Sequence, residues 1–202
     1  MNIAVLASGT GTNLQALLDR VHQREGVEIV AVASDKPDAP ALDRARAAGV
    51  PASSFPLDQF ADRAARDLAI ADWLASRGTE LVVLAGYMQL LSDEFLIRFP
   101  DRVINVHPAL LPAFPGVAAV DQALAYGVKV FGVTVHFVDG GVDSGPVILQ
   151  RAIELPDARD AGEVLERLHP IEHELLPEAV RLIARGAVSF DPANARRVLI
   201  ER

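Results

Sequence analysis

Residues 2–7 (NIAVLA) make a short apolar run that breaks at once into SGTGTN. A run of that length, bounded by turn residues, suits a strand buried on both faces. The glycines then release the chain into residues 13–23, where Leu14, Leu17, Leu18 and Val21 mark one helical stripe. Buried strand, tight turn and helix open a βαβ unit, which restricts the chain to an α/β fold with parallel strands. The alternation continues. Residues 27–34 read as a strand, and residues 40–49 as a helix that starts with Pro and ends with Gly. Residues 58–77 read as a longer helix, and residues 80–86 and 102–107 as further strands.

The pattern changes after residue 128. Residues 128–139 (VKVFGVTVHFVD) and 146–155 (PVILQRAIEL) are two strands joined by a Gly-rich connection, which predicts a hairpin and a mixed sheet. A helix is expected over about residues 160–185, with Val164, Leu168, Ile171 and Leu175 on its apolar face. Pro170 lies inside it and predicts a bend or a helix start. The tail from Ala187 is too short for another domain. The expected fold class is α/β: a Rossmann-like, mostly parallel sheet with helices on both faces, mixed and antiparallel towards the C-terminal half.

Composition narrows the function. With 27 acidic residues against 19 basic ones, a net charge of −8 and no basic run, the chain is not expected to bind nucleic acid. Cysteine is absent. That removes a disulfide framework, a thiolate metal site and a cysteine nucleophile. The N-terminus lacks the basic start of a signal peptide, and no segment reaches the ~20 apolar residues of a membrane span. A soluble, cytoplasmic protein with no membrane partner is expected.

SGTGTNL (residues 8–14) follows a strand and opens a helix. Such a turn offers unpaired N–H groups and a positive dipole end to an anion. Gly9 and Gly11 permit close backbone approach, and Thr12 and Asn13 can add donors or cap the helix. A dinucleotide fingerprint competes, with Asp35 near the place of a ribose-binding acid, but Leu14 stands where its third Gly belongs. That favours a single phosphate over a dinucleotide. A plain βα turn without ligand stays equally open.

Two further segments carry chemistry: INVHPALLPAFPG (residues 104–116) and HFVDGGVDSGPV (residues 136–147). Strand alternation puts Asn105 and His107 on one face. The Pro-rich loop after them cannot continue a strand, so both residues sit at a strand's carboxyl end, where open α/β sheets keep ligands. Asp143 adds a carboxylate from a Gly-rich turn. An amide to hold an oxyanion, an imidazole to move a proton and a carboxylate to favour the charged ring together suit acyl transfer. The plain alternatives are a turn-stabilising His-Pro and an ordinary turn Asp. His136 lies inside a strand and reads as structural. His22 reads as solvated. His107, Asp139 and Asp143 lack the spacing of metal ligands, and no metal is expected.

VLASGTGTNLQAL, LAGYMQLLS, INVHPALLPAFPG, GVTVHFVDGGVDSGPVILQ and LHPIEHELLP, in this order, cover nearly the whole chain. Together they resemble the folate-dependent formyltransferases, in the branch that acts on glycinamide ribonucleotide. The resemblance implies a single formyltransferase domain over 1–202, with a phosphate-binding half (1–100) and a catalytic and folate-binding half (101–202). It implies transfer of the formyl group of 10-formyltetrahydrofolate, a cosubstrate, to the primary amine of glycinamide ribonucleotide. By position, Asn105, His107 and Asp143 match the catalytic set. Gly11, Thr12 and Asn13, with His169, Pro170, Ile171 and Glu172, match the ribonucleotide site. Arg63, Met88, Gln89, Leu90, Leu91, Asn105 and the loop Asp139, Gly140, Gly141, Val142 and Asp143 match the folate site. The chain departs from the family at Val117 to Val120, where a histidine is common and Ala118 stands, at Gln89, where Arg is common, and at Pro170. A sugar-nucleotide acceptor, or a noncatalytic relic that binds both ligands, are the alternatives. A monomer or homodimer is expected.

Overall fold

The opening strand β1 (Asn2–Leu6) is wholly buried from Ile3 to Leu6 in the computed structural model, which describes residues 1–201. Consecutive buried side chains require cover on both faces, as a central parallel strand has. β1 pairs in parallel with β2 (Glu28–Ser34) on one side and with β4 (Leu81–Leu84) on the other. β2 pairs in parallel with β3 (Ala52–Ser54). The order is therefore β3-β2-β1-β4, with α1 (Thr12–Arg20), α2 (Pro40–Ala47) and α3 (Arg63–Ala75) as successive connections.

Local chemistry sets the helix ends. Asp62 caps α3 by accepting the Ala65 N–H at 2.8 Å, and Ser92 starts α4 (Asp93–Arg98) by accepting from Phe95. Residues 58–77 are not one helix. A 3-10 turn at Leu57–Gln59 precedes α3, because the Asp62 cap fixes the helix start. α1 stops at Arg20, so His22 lies beyond it, where its Nδ1 accepts the Ile29 N–H at 3.0 Å rather than facing water alone.

These elements form one compact unit, Met1–Ile104; a second comprises Asn105–Arg202. β5 (Val103–His107) leads from one into the other.

In the second unit, β6 (Val130–Phe137) and β7 (Val147–Glu154) form the expected antiparallel hairpin, with a register shift between Val135 and His136. α5 (Ala119–Tyr126) precedes them and α6 (Ala161–Ala184) packs on both strands. The tail adds a hairpin of its own, β8 (Val188–Asp191) with β9 (Asn194–Ile200), and β9 runs parallel to β7 at Val147 and Arg197. The fold is α/β, parallel in its first unit and with antiparallel pairs in its second.

Of the bend or helix start expected at Pro170, the start is overturned: α6 runs through both Pro170 and Pro177. Pro170 is exposed, so the carbonyl its missing N–H leaves behind can turn to water. Val164, Leu168 and Leu175 are buried as the apolar face. No helix among the described residues is long and apolar enough to cross a membrane.

Candidate active site

β5 ends in Asn105-Val106-His107, and both flanking side chains reach the same carboxylate. Asn105 Nδ2 donates to Asp143 Oδ1 at 3.2 Å, and His107 Nδ1 lies 3.3 Å from Asp143 Oδ2. The alternation of an extended strand therefore does put these two residues together. The other ring nitrogen, Nε2 of His107, lies 2.8 Å from the Phe114 carbonyl, to which it donates. Both nitrogens of a ring only 4% exposed thus face oxygen acceptors. The Phe114 carbonyl can only accept, so Nε2 carries a hydrogen while Nδ1 faces the carboxylate.

His136 joins this cluster, which strand position alone did not indicate. It is 1% exposed on β6. Its Nδ1 donates to the Phe137 carbonyl at 2.7 Å. Its Nε2 faces Asn105 Nδ2 at 3.2 Å and Asp143 Oδ1 at 3.5 Å. When neutral it accepts an Asn105 N–H; when protonated it donates towards Asp143. The only sequence signal was spacing: Gly132, Thr134 and His136 share one face of β6.

Asp143 is the hub. Burial pushes its carboxyl up, but the His136 hydrogen bond, the Gly116 N–H and the charges of His107 and His136 outweigh burial and hold it at about 2. The Gly116 N–H donates to Oδ2 at 2.7 Å. Asp143 takes a left-handed backbone (φ 48), and so does Phe114 (φ 55). Asp tolerates that region and a bulky Phe rarely does. Both residues that hold His107 thus have left-handed backbones, which Gln23, Glu25, Asp101 and Ala118 adopt elsewhere. Next to Asp143, the loop of Asp139, Gly140, Gly141 and Val142 is organised by Asp139 Oδ1. That oxygen accepts from the Gly141 N–H at 3.1 Å and from Ser144 Oγ at 2.6 Å.

In the first unit, the glycine turn enters α1 with Gly11 at the N-cap (φ 73) and no side-chain cap. Thr12 and Asn13 are the first residues of the helix rather than its caps. A Cβ on Gly11 would lie 2.8 Å from Ala41 Cα and Cβ, so glycine is required by both conformation and space. The turn is tied to the segment after β4: the Ser8 N–H donates to the Gly86 carbonyl, and Ser8 Oγ accepts from the Met88 N–H at 2.8 Å. Met88 and Leu90 expose their side chains, at 66% and 55%, and Leu91 is half-buried. Gln89 instead turns into a polar network, accepting from Arg66 and donating to Asp35 Oδ2 at 3.1 Å. Arg66 is in turn paired with Asp67 at 2.8 Å, both buried, and Asp67 accepts the Ser92 N–H. Burial pushes the Tyr87 hydroxyl above its ordinary range. Arg63, the first residue of α3, is exposed.

On α6, Glu172 is buried, Ile171 and His169 are half-buried, and Pro170 is exposed. His169 and His173 have the H-x-x-x-H spacing of paired metal ligands, a signal present in the sequence and passed over there. Their rings stack with centroids 6.3 Å apart. No third His, Asp or Glu joins them as a metal-holding group among the described residues.

Comparison with known proteins agrees with the fold. A family model described as Formyl transferase matches residues 1–180. The chain is 42% identical over 180 residues to a phosphoribosylglycinamide formyltransferase of Bacillus subtilis (strain 168), covering 88% of this chain and 92% of that protein. It is 43% identical over 187 residues to the protein of the same name from Mycobacterium tuberculosis (strain H37Rv), covering 93% and 86%. The crystal structure of glycinamide ribonucleotide transformylase 1 from Symbiobacterium toebii superposes with a TM-score of 0.95 at 46% identity, over 100% of this chain and 94% of that one.

Proposed function

The chain belongs to the formyl transferase family, and we propose from that premise that it moves the formyl group of 10-formyltetrahydrofolate to the primary amine of glycinamide ribonucleotide, a step of purine synthesis. The single observation that carries the chemistry is the convergence of Asn105, His107 and His136 on Asp143.

Attack of the amine on the formyl carbon makes a tetrahedral carbon bearing a negative oxygen. His107 and Asn105 supply N–H donors for that oxygen. In the resting arrangement those donors are occupied, His107 Nε2 by the Phe114 carbonyl and Asn105 by Asp143 and His136. Catalysis therefore exchanges an internal partner for the oxyanion, and the exchange favours the transition state over the uncharged formyl oxygen. Asp143, ionised well below neutral pH, is too weak a base to store the amine's proton. Its work is electrostatic: an anion 3.3 Å from the ring stabilises a cationic His107. The proton leaves the attacking nitrogen and reaches the folate nitrogen with the tetrahydrofolate that departs. The scheme needs no covalent enzyme intermediate and no metal.

The substrate contacts follow the family pattern. Gly11, Thr12 and Asn13 take the ribonucleotide phosphate at the start of α1, and His169, Pro170, Ile171 and Glu172 serve the same ligand. Arg63, Met88, Gln89, Leu90, Leu91, Asn105 and residues 139–143 serve the folate; exposed Met88 and Leu90 offer apolar surface to its ring. A cysteine-free chain acting on soluble metabolites suits the cytoplasm.

The test is to incubate the purified protein with both substrates, omit each in turn, and follow tetrahydrofolate formation by absorbance. Release that depends on the ribonucleotide is expected. Equal release without it would assign a hydrolase instead.

A further inference from the structure

His107 opens a loop, residues 108–115, that has no regular secondary structure and contains Pro108, Pro112 and Pro115. One turn bond, from the Ala113 N–H to the Leu110 carbonyl at 3.0 Å, satisfies only part of its backbone, so the buried groups of Ala109 and Leu111 need partners from elsewhere. Ala109 and Leu111 are buried. Their partners come from β6 and β7.

Thr134, fully buried on β6, donates its hydroxyl hydrogen to the Ala109 carbonyl at 2.7 Å and accepts the Leu111 N–H at 3.1 Å. The same oxygen accepts from Gln150 Nε2 at 2.9 Å, and Gln150 Nε2 also donates to the Leu111 carbonyl at 2.8 Å. Thr134 and Gln150 are direct partners in the β6–β7 ladder, which places both side chains on one face. One hydroxyl thus uses its donor and both acceptor sites, and one amide nitrogen uses both hydrogens. Two residues before Thr134, Gly132 leaves room for Leu110: a Cβ there would lie 2.4 Å from Leu110 Cδ2. Two residues after it, His136 faces Asn105 and Asp143. One face of β6 therefore seats Leu110, pins Ala109 and Leu111, and meets the reacting cluster.

We propose that Thr134, backed by Gln150, is a positioning residue for His107: it locks the loop that carries the imidazole, and so fixes where the ring's donor points. The idea rests on the reading of His107 as the oxyanion-stabilising group. Thr134 is fully buried and offers no surface to a ligand. Its effect is expected on kcat and not on the affinity for either ligand, because misplacing a catalytic group by about 1 Å can cost on the order of a hundredfold.

The test is steady-state kinetics on the full chain, with thermal melts to count folded protein. Thr134→Val keeps the shape and removes the hydroxyl; kcat is expected to fall about ten- to a hundredfold, with both KM values within about twofold. Thr134→Ser restores the hydroxyl and is expected to recover kcat to within about threefold of wild type. Should Thr134→Val not fold, Gln150→Met carries the test, with the same selective loss of kcat in milder form. Wild-type kcat per folded molecule in Thr134→Val, or in Gln150→Met if only that variant folds, would overturn the proposal. So would a serine variant as slow as the valine variant. His107→Ala separates the two claims. If it turns over normally, the reading of His107 fails; if it is inactive while Thr134→Val is fast, only the positioning role fails.

Discussion

Nδ1 of His107 lies 3.3 Å from Oδ2 of Asp143, while Nε2 of the same ring faces the carbonyl of Phe114 at 2.8 Å. A ring set between two oxygens on opposite sides has a fixed orientation. His107→Ala is expected to keep its fold and to lose turnover by at least about a hundredfold, the lower range for removing a positioned acid or oxyanion donor. Single-turnover assays with both substrates saturating check this, and a near-normal rate would remove His107 from the mechanism.

Asp143 ties stability to acid. Its carboxyl sits at about 2 in the folded chain against an ordinary 3.8. A lowered value stabilises the fold above the ordinary one, and the contribution disappears as pH falls from about 4 to about 2, amounting to roughly 2 kcal/mol. Asp143→Asn lacks that contribution. Urea midpoints measured across this window should fall less steeply for the variant than for the wild type. Parallel curves would contradict the assignment.

Gly11 is expected to tolerate no side chain. Gly11→Ala forces a residue with φ 73 against Ala41 and should cost about 1–3 kcal/mol, seen as a lower melting temperature. Thr12→Ala and Asn13→Ala are expected to weaken ribonucleotide binding more than folate binding. Calorimetric titration with each ligand checks both, and equal losses would argue against a phosphate role for the turn.

Much of the fold was legible because its signals were local. Apolar runs bounded by turn residues marked β1, β2 and β4, and Asn-x-His at the end of β5 needed only strand alternation. β3 was missed because three half-buried residues carry no periodicity. The β8–β9 hairpin was missed because its second strand, NARRVLI, is polar and exposed at its start. The helix through Pro170 went against a local rule that solvent exposure relaxes. His136 and Thr134 were invisible for another reason: their partners lie on distant segments, and a buried polar residue in a strand looks the same whether it supports a loop or a reaction. The Arg66–Asp67 pair was hidden too, since neighbours along a helix seldom face each other.

That pair gives a separate stability test. Both side chains are buried, and removing one partner strands the other's charge, at about 3–5 kcal/mol. Asp67→Ala should therefore destabilise strongly in urea unfolding, and more than Asp43→Ala, whose pair with Arg46 is exposed. Equal effects would mean that the buried pair is not formed.

The central claim is that Asn105, His107 and Asp143 act as one unit on the oxygen that becomes charged. A double-mutant cycle on kcat with His107→Ala, Asp143→Asn and the double variant tests it most directly. Coupled groups are strongly non-additive, so the double variant is expected to be no more than a few-fold slower than the slower single variant. A double variant whose loss equals the product of the two single losses would show that the groups work independently, and would contradict the account.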